Sequence, residues 1–163
     1  MDDEPIELRI IAAREGSLAA INALVARSKA HWSWPAGYLE KALPLHALYL
    51  SYLRDNYCFE VLGPRDDLLA FFAVVASGAR AVLDNLWVKP EVIGRGIGRR
   101  ACEHIVRLAR QHGWRELRVL PDPPAEGFYV KSGFLDTGER VPSRVLGGPT
   151  FSVYSMKISA EQE

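Results

Sequence analysis

Three alternate glycines stand in Gly94-Arg95-Gly96-Ile97-Gly98-Arg99-Arg100, directly after Val88-Lys89-Pro90-Glu91-Val92-Ile93. Strand-forming residues run up to the proline, and an amphipathic helical pattern follows the glycines. Glycines at such a junction leave main-chain N–H groups uncovered at a helix N-terminus, where the helix dipole favours an anion. Arg95, Arg99 and Arg100 add fixed positive charge. The chemistry on offer is the cradling of a pyrophosphate; a loop that only caps its helix is the other reading. Two familiar cradles fail on spacing. A dinucleotide fingerprint needs glycine at its first, third and sixth positions, and the sixth residue from Gly94 is Arg99. A Walker-type loop needs Gly-Lys-Ser/Thr, and Gly98 is followed by two arginines.

The elements that must position this loop are legible in outline. The 163 residues suit one domain, over 5–158, with a short tail at 159–163. Ile6 to Ala12 alternates as a first strand, and Ser17 to His31 carries Leu18, Ile21, Leu24 and Val25 at the spacing of one helix face. Pro35 opens a second helix with Tyr38, Leu39 and Ala42 on one side. Leu45 to Leu53 reads equally as helix or buried loop. Strands over Tyr57–Leu62, Leu68–Ala76 and Arg80–Val88 form an antiparallel meander, with turns at 63–67 and 77–78. The helix after the cradle places Ala101, Ile105, Leu108 and His112 on one stripe and ends at Gly113. A short strand at Leu117–Leu120 is separated by that helix from the strand ending at Val88, so the two run parallel. A short helix at Ala125–Lys131 and two closing strands, Phe134–Arg140 and Thr150–Lys157, finish the chain, the last two joined by the loop 141–149.

Composition narrows the partners. Acidic and basic residues balance at 20 each, so no strong field favours nucleic acid or an anionic membrane. No apolar run approaches the ~20 residues of a membrane span. The acidic start, Met1-Asp2-Asp3-Glu4, argues against a signal or transit peptide. Cys58 and Cys102 match no metal-ligand spacing and read as core residues in a reducing cytoplasm. No metal is expected.

The spacing x-x-Gly-x-Gly after a strand and a proline resembles the acyl-CoA loop of the GCN5-related N-acetyltransferases (GNAT), although Ile93 stands where that family usually has Arg or Gln. A second segment strengthens the resemblance. Ala125-Glu126-Gly127-Phe128-Tyr129-Val130-Lys131-Ser132-Gly133-Phe134 is similar to the family's A-x-x-F/L-Y-x-x-x-G-F, at the expected distance downstream. The element order resembles the family over nearly the whole chain. It implies an α/β (α+β) fold: a mixed, mostly antiparallel twisted sheet of about seven strands with about four helices, splayed between the fourth and fifth strands. Where the family usually has Asn, seven residues before the tyrosine, this chain has Asp122, which accepts hydrogen bonds but donates none while ionised.

The resemblance implies an N-acetyltransferase that moves acetyl from acetyl-CoA to a primary amine of a small molecule or amino-acid derivative, by direct attack in a ternary complex. The diphosphate would lie on Ile93, Gly94, Arg95, Gly96, Ile97, Gly98 and Arg99. The amide-bearing arm would pair with Leu86, Trp87 and Val88, with Asp122 and Phe128 also in contact. Main-chain N–H near Val88 would polarise the thioester carbonyl, and Tyr129 would protonate the leaving thiolate. An alkylamine of pKa ~10 must lose a proton before attack. Asp84 leads the candidates for that task, ahead of Glu60 and Glu126; strand alternation could instead turn Asp84 outward. Trp32, Trp34, Tyr38, Tyr49 and Tyr52 fall in the region that lines the family's acceptor side, though packing of helices on the sheet also explains them. Arg144, in the 141–149 loop, is available to pair with an acceptor carboxylate. His31, His46, His104 and His112 read as packed or solvated, His104 on the charged side of its helix. A second copy of the chain is admitted as a partner. The rival reading is a non-catalytic acyl-CoA-binding module on the same fold, and a nucleotide-binding module stands third.

Overall fold

Successive strands joined by short turns pair with their neighbours, and that rule builds the first half of the sheet. The computed structural model describes residues 4–160; residues 1–3 of the acidic start and 161–163 of the tail lie outside the described residues. Strands β1 (Arg9–Ala12), β2 (Tyr57–Leu62), β3 (Leu68–Ser77) and β4 (Arg80–Val88) run antiparallel in order. Strands β5 (Glu116–Val119), β6 (Leu135–Pro142) and β7 (Thr150–Lys157) complete a seven-stranded sheet of order β1-β2-β3-β4-β5-β7-β6. Only β4 and β5 pair in parallel, as a helical crossover between them requires.

That parallel pairing is short. Arg80, Ala81 and Val82 face Glu116, Leu117 and Arg118, and β4 then continues to Val88 without β5 beside it. The sheet is splayed there, as the fold class expects. On its other edge β4 carries a bulge: Ala73 pairs with Asn85 and Val74 with Leu83, which leaves Asp84 as the extra residue. A bulge shifts the alternation of every side chain beyond it. Ala81 and Leu83 face one core, and past Asp84 the same core receives Leu86 and Val88.

Helices cover both faces. On one face α4 (Ile97–His112) and α5 (Glu126–Lys131) bury Ile97, Ala101, Ile105 and Tyr129 against Phe72, Val74 and Leu117. Each such aliphatic side chain contributes roughly 1.5–3 kcal/mol of burial. Gly113 closes α4 with φ 70°, while Trp114 N–H reaches back to the Ala109 carbonyl at 2.9 Å. On the other face α1 (Leu18–Ala30) and α3 (Leu50–Asp55) pack Ile21, Leu24, Val25 and Leu53 onto Phe71 and Ala73.

Several expectations shift. The undecided segment 45–53 ends α2 (Tyr38–His46) and opens α3, giving five α-helices among the described residues where about four were expected. The second helix starts at Tyr38 because Pro35 accepts the Tyr38 N–H at 3.0 Å in a turn, and Gly37 follows it at φ 77°. The first strand begins at Arg9. His104 packs: its ring meets Phe59 and Phe72 edge-on at 4.9 and 5.7 Å, and burial, then the Arg107 charge, pushes its pKa down.

Candidate active site

The glycine loop forms the expected cradle, built from main chain. After β4, Lys89 N–H bonds the Leu69 carbonyl at 2.8 Å, and Pro90–Val92 make one 3-10 turn. Gly94 and Gly96 then take φ 85° and 81°, left-handed values that glycine adopts without strain. Arg100 is the first residue of α4 whose N–H returns a bond, to Gly96 at 3.1 Å. The N–H groups of Ile97, Gly98 and Arg99 precede it and have no main-chain partner among the described residues. A Cβ on Gly98 would come within 3.0 Å of the Phe128 ring, so this glycine lets α5 close against the helix start. Free N–H groups, the positive end of α4 and the exposed Arg99 suit a phosphate-bearing ligand. Arg95 points elsewhere: its N–H is spent on Val92 and its guanidinium bonds the Glu4 carbonyl at 3.1 Å.

The cradle opens into a cavity of about 420 Å³ that occupies the splay. Of the residues singled out in the sequence, the cavity is lined by Asp84, Leu86, Trp87, Val88, Ile93, Gly94, Gly96, Ile97, Gly98, Arg99, Asp122, Phe128, Tyr129 and Trp32. Arg95, Trp34, Tyr38 and Arg144 do not line it, nor do Glu60 and Glu126. Glu60 is instead buried under Arg14, whose main-chain and side-chain N–H groups reach it at 2.9 to 3.1 Å.

Tyr129 is 5 % exposed, held edge-on between Phe128 and Phe134. Burial first, then Cys102 and Asp122, push its pKa above the ordinary tyrosine value, so it is a phenol that keeps its proton. Among the described residues no buried side-chain oxygen or nitrogen lacks a hydrogen-bond partner, and none of them bonds the Tyr129 hydroxyl. Its hydroxyl is therefore reached from the cavity that the ring lines.

Asp122 carries a partner that sequence reading missed. Lys29 is 1 % exposed and places Nζ 2.7 Å from Asp122 Oδ1. The same ammonium lies 4.1 Å from the Trp34 ring centroid and 5.4 Å from that of Tyr38, which stacks on Trp34 at 4.8 Å. The two aromatics thus enclose a lysine of the chain itself, beside the cavity and not in it. A signal was available: Ile21, Val25 and Lys29 follow at four-residue steps, which puts the lysine on the buried stripe of α1.

The wall contributed by other elements holds Ser28, Trp32, His46 and Asp84. Asp84 is exposed, and its Oδ2 accepts from the Tyr52 hydroxyl. That hydroxyl accepts from Asn85 Nδ2 at 2.8 Å, and Asn85 Oδ1 accepts from Trp87 Nε1 at 2.7 Å. Burial, then Asp84, pushes the Tyr52 pKa up, so the chain of bonds keeps its proton on Tyr52. His46 ends α2 and meets Trp87 edge-on at 5.5 Å. No group of three His, Cys, Asp or Glu residues is arranged for a metal ion among the described residues.

Comparison with known proteins bears on the family and the fold. The model of the acetyltransferase (GNAT) family matches residues 25–134. The fold is similar to the PaiA N-acetyltransferase of Thermoplasma acidophilum, solved in complex with coenzyme A, with a TM-score of 0.77 at 16 % identity over 93 % of this chain and 99 % of that one. It is also similar to a GCN5-related N-acetyltransferase of Rhodopseudomonas palustris, with a TM-score of 0.76 at 18 % identity over 96 % and 98 %. Nourseothricin acetyltransferase superposes with a TM-score of 0.69 at 20 % identity over 93 % and 99 %. No curated protein matches by sequence.

Proposed function

The chain belongs to the acetyltransferase (GNAT) family, and from that premise we propose that it transfers an acetyl group from acetyl-CoA to the primary amine of a small molecule. The observation that carries the reading is one cavity lined both by the free N–H groups of the cradle and by a tyrosine that keeps its proton. Acetyl-CoA supplies a diphosphate, an amide-bearing arm and a thioester. Ile97, Gly98 and Arg99 donate to the diphosphate, and the edge of Leu86–Val88 that β5 leaves unpaired receives the arm as a strand would be received. Main-chain N–H at the end of β4 polarises the thioester carbonyl. The amine nitrogen bonds to the carbonyl carbon, the C–S bond breaks, and Tyr129 gives its proton to the departing sulfur and regains one from the nitrogen.

Two carboxylates line the cavity, and Lys29 neutralises one of them. Asp84 is left to attract an ammonium, which suits a monoamine better than a polybasic tail. Trp32 gives the acceptor an apolar surface. Both cysteines are free and buried, and no helix among the described residues is long and apolar enough to cross a membrane. We place the protein in a reducing cytoplasm on that chemistry.

Thiol release from acetyl-CoA across a panel of alkyl and arylalkyl amines tests the reading. Tyr129→Phe is expected to slow release about 10²-fold, and an unchanged rate removes Tyr129 from the mechanism. Calorimetric CoA binding with no thiol release on any amine would favour the binding-module reading that Ile93 and Asp122 keep in play.

A further inference from the structure

We infer that His46 is the general base that takes the proton from the acceptor ammonium, an assignment that rests on the acetyltransferase reading above. Four observations converge on it. His46 lines the same cavity as Tyr129 and Val88, on the wall with Trp32 and Asp84. Its ring is fixed from one side by the edge-on contact with Trp87, a residue of the β4 segment beside which the arm lies. The ring forms no hydrogen bond with the described residues, while no buried side-chain nitrogen among them lacks a partner, so its ring nitrogens are reached by solvent. Asp84, the competing base, already uses Oδ2 to accept from Tyr52, and Glu60 and Glu126 lie off the cavity.

Burial, with the cations among the neighbouring charges, favours a receptive imidazole. Burial of the ring, then the Lys29 ammonium on α1, push its pKa below the ordinary 6.5; Asp122 after β5 opposes this, Arg144 of the β6–β7 loop adds to it, and Asp84 on β4 opposes it. His46 is therefore neutral at pH 7. An imidazole also lies nearer in proton affinity to an alkylammonium than a carboxylate does, which makes it the more effective base. The step balances without another reactant. The ammonium proton moves to a ring nitrogen, the freed lone pair bonds to the thioester carbon, and the C–S bond breaks. The second nitrogen proton replaces the one that Tyr129 gives to sulfur, and His46 returns its own to water. Asp84 attracts the ammonium to this point and His46 deprotonates it.

The test is the pH dependence of kcat/KM for the amine that gives the fastest thiol release, in wild type, His46→Gln and Asp84→Asn. Wild type is expected to reach a plateau above the depressed His46 pKa that persists up to the amine's own pKa. His46→Gln should fall about 10²-fold near pH 7, climb tenfold per pH unit, and approach wild type as the amine deprotonates unaided. In Asp84→Asn the plateau should remain, with the loss taken in KM. Added imidazole should restore His46→Ala in proportion to its concentration. A His46→Gln profile parallel to wild type, or His46→Ala indifferent to imidazole, overturns the assignment while leaving the transferase reading intact. Absence of thiol release with every amine in wild type overturns that reading first, and the role of His46 with it.

Discussion

The two ends of the cavity are made of different material. The cradle is main chain: N–H groups of Ile97, Gly98 and Arg99, exposed at a helix start, with glycines that matter for what they lack. The opposite wall is side chain: Asp122 held from behind by Lys29, Asp84 by Tyr52, Trp87 by Asn85, and His46 beside them. A main-chain site is present in whatever residues share its conformation, so it tolerates changes of side chain and fails mainly on an added Cβ. A site of buried, mutually bonded side chains has no such latitude, since removing one partner leaves another unpaired. On the proposed reading, the donor end rests on shape and the acceptor end on identity.

The widest gap between the two ends should appear at Lys29. Lys29→Met leaves the part-buried Asp122 without its cation and is expected to cost about 3–5 kcal/mol in urea unfolding. Adding Asp122→Asn should recover much of that cost, because the orphaned charge goes too. CoA binding by calorimetry should change little in the folded double variant; a collapse of CoA affinity would mean that the ends are not separable.

At the cradle end the corresponding change is a single carbon. Gly98→Ala drives a methyl against the Phe128 ring and is expected to cost about 1–3 kcal/mol as overpacking. CoA affinity should drop about tenfold, one step of 1.4 kcal/mol, while acceptor preference stays as it was. An altered ranking of amines in this variant would show the cradle reaching further than its backbone.

The smallest effect belongs to Ile93, half exposed at the cavity edge. Ile93→Arg adds a cation near the cradle without touching a main-chain donor. CoA should bind only a few-fold tighter, and raised salt should erase the gain, as for an exposed charge pair. A large, salt-resistant gain would show that the side chain at this position had been the missing part of the site.

The same division of material decided what the sequence revealed. Gly94, Gly96 and Gly98 announce a conformation, and Tyr129 sits in a contiguous segment, so both were legible without knowing what lay nearby. The parallel pairing of β4 with β5 was legible as well, because a helix between two strands admits little else. The bulge was not: no glycine marks Asp84, and the extra residue is apparent only when Asn85 is seen opposite Ala73 and Leu83 opposite Val74. The partnership of Lys29 with Asp122 spans 93 positions, beyond any local pattern, although the place of Lys29 on the buried stripe of α1 hinted at it. His46 resisted for a further reason. It ends a helix that contains Pro44 and falls inside the stretch Leu45–Leu53 that reads equally as helix or loop, so its direction could not be drawn before α2 and α3 were separated. Trp34 and Tyr38 carried the opposite lesson: aromatic residues close in sequence to the acceptor region turned out to enclose the chain's own lysine.

The three-residue pairing of β4 with β5 gives the molecule a mechanical character. The sheet is two leaves, one ending at β4 and the other beginning at β5, bound along a short spine from Ala79 to Val82 and bridged by α4. A spine that short resists sliding but offers little leverage against the leaves swinging apart. Whatever lies in the gutter between them lengthens the binding from within, touching both leaves where the strands themselves do not meet.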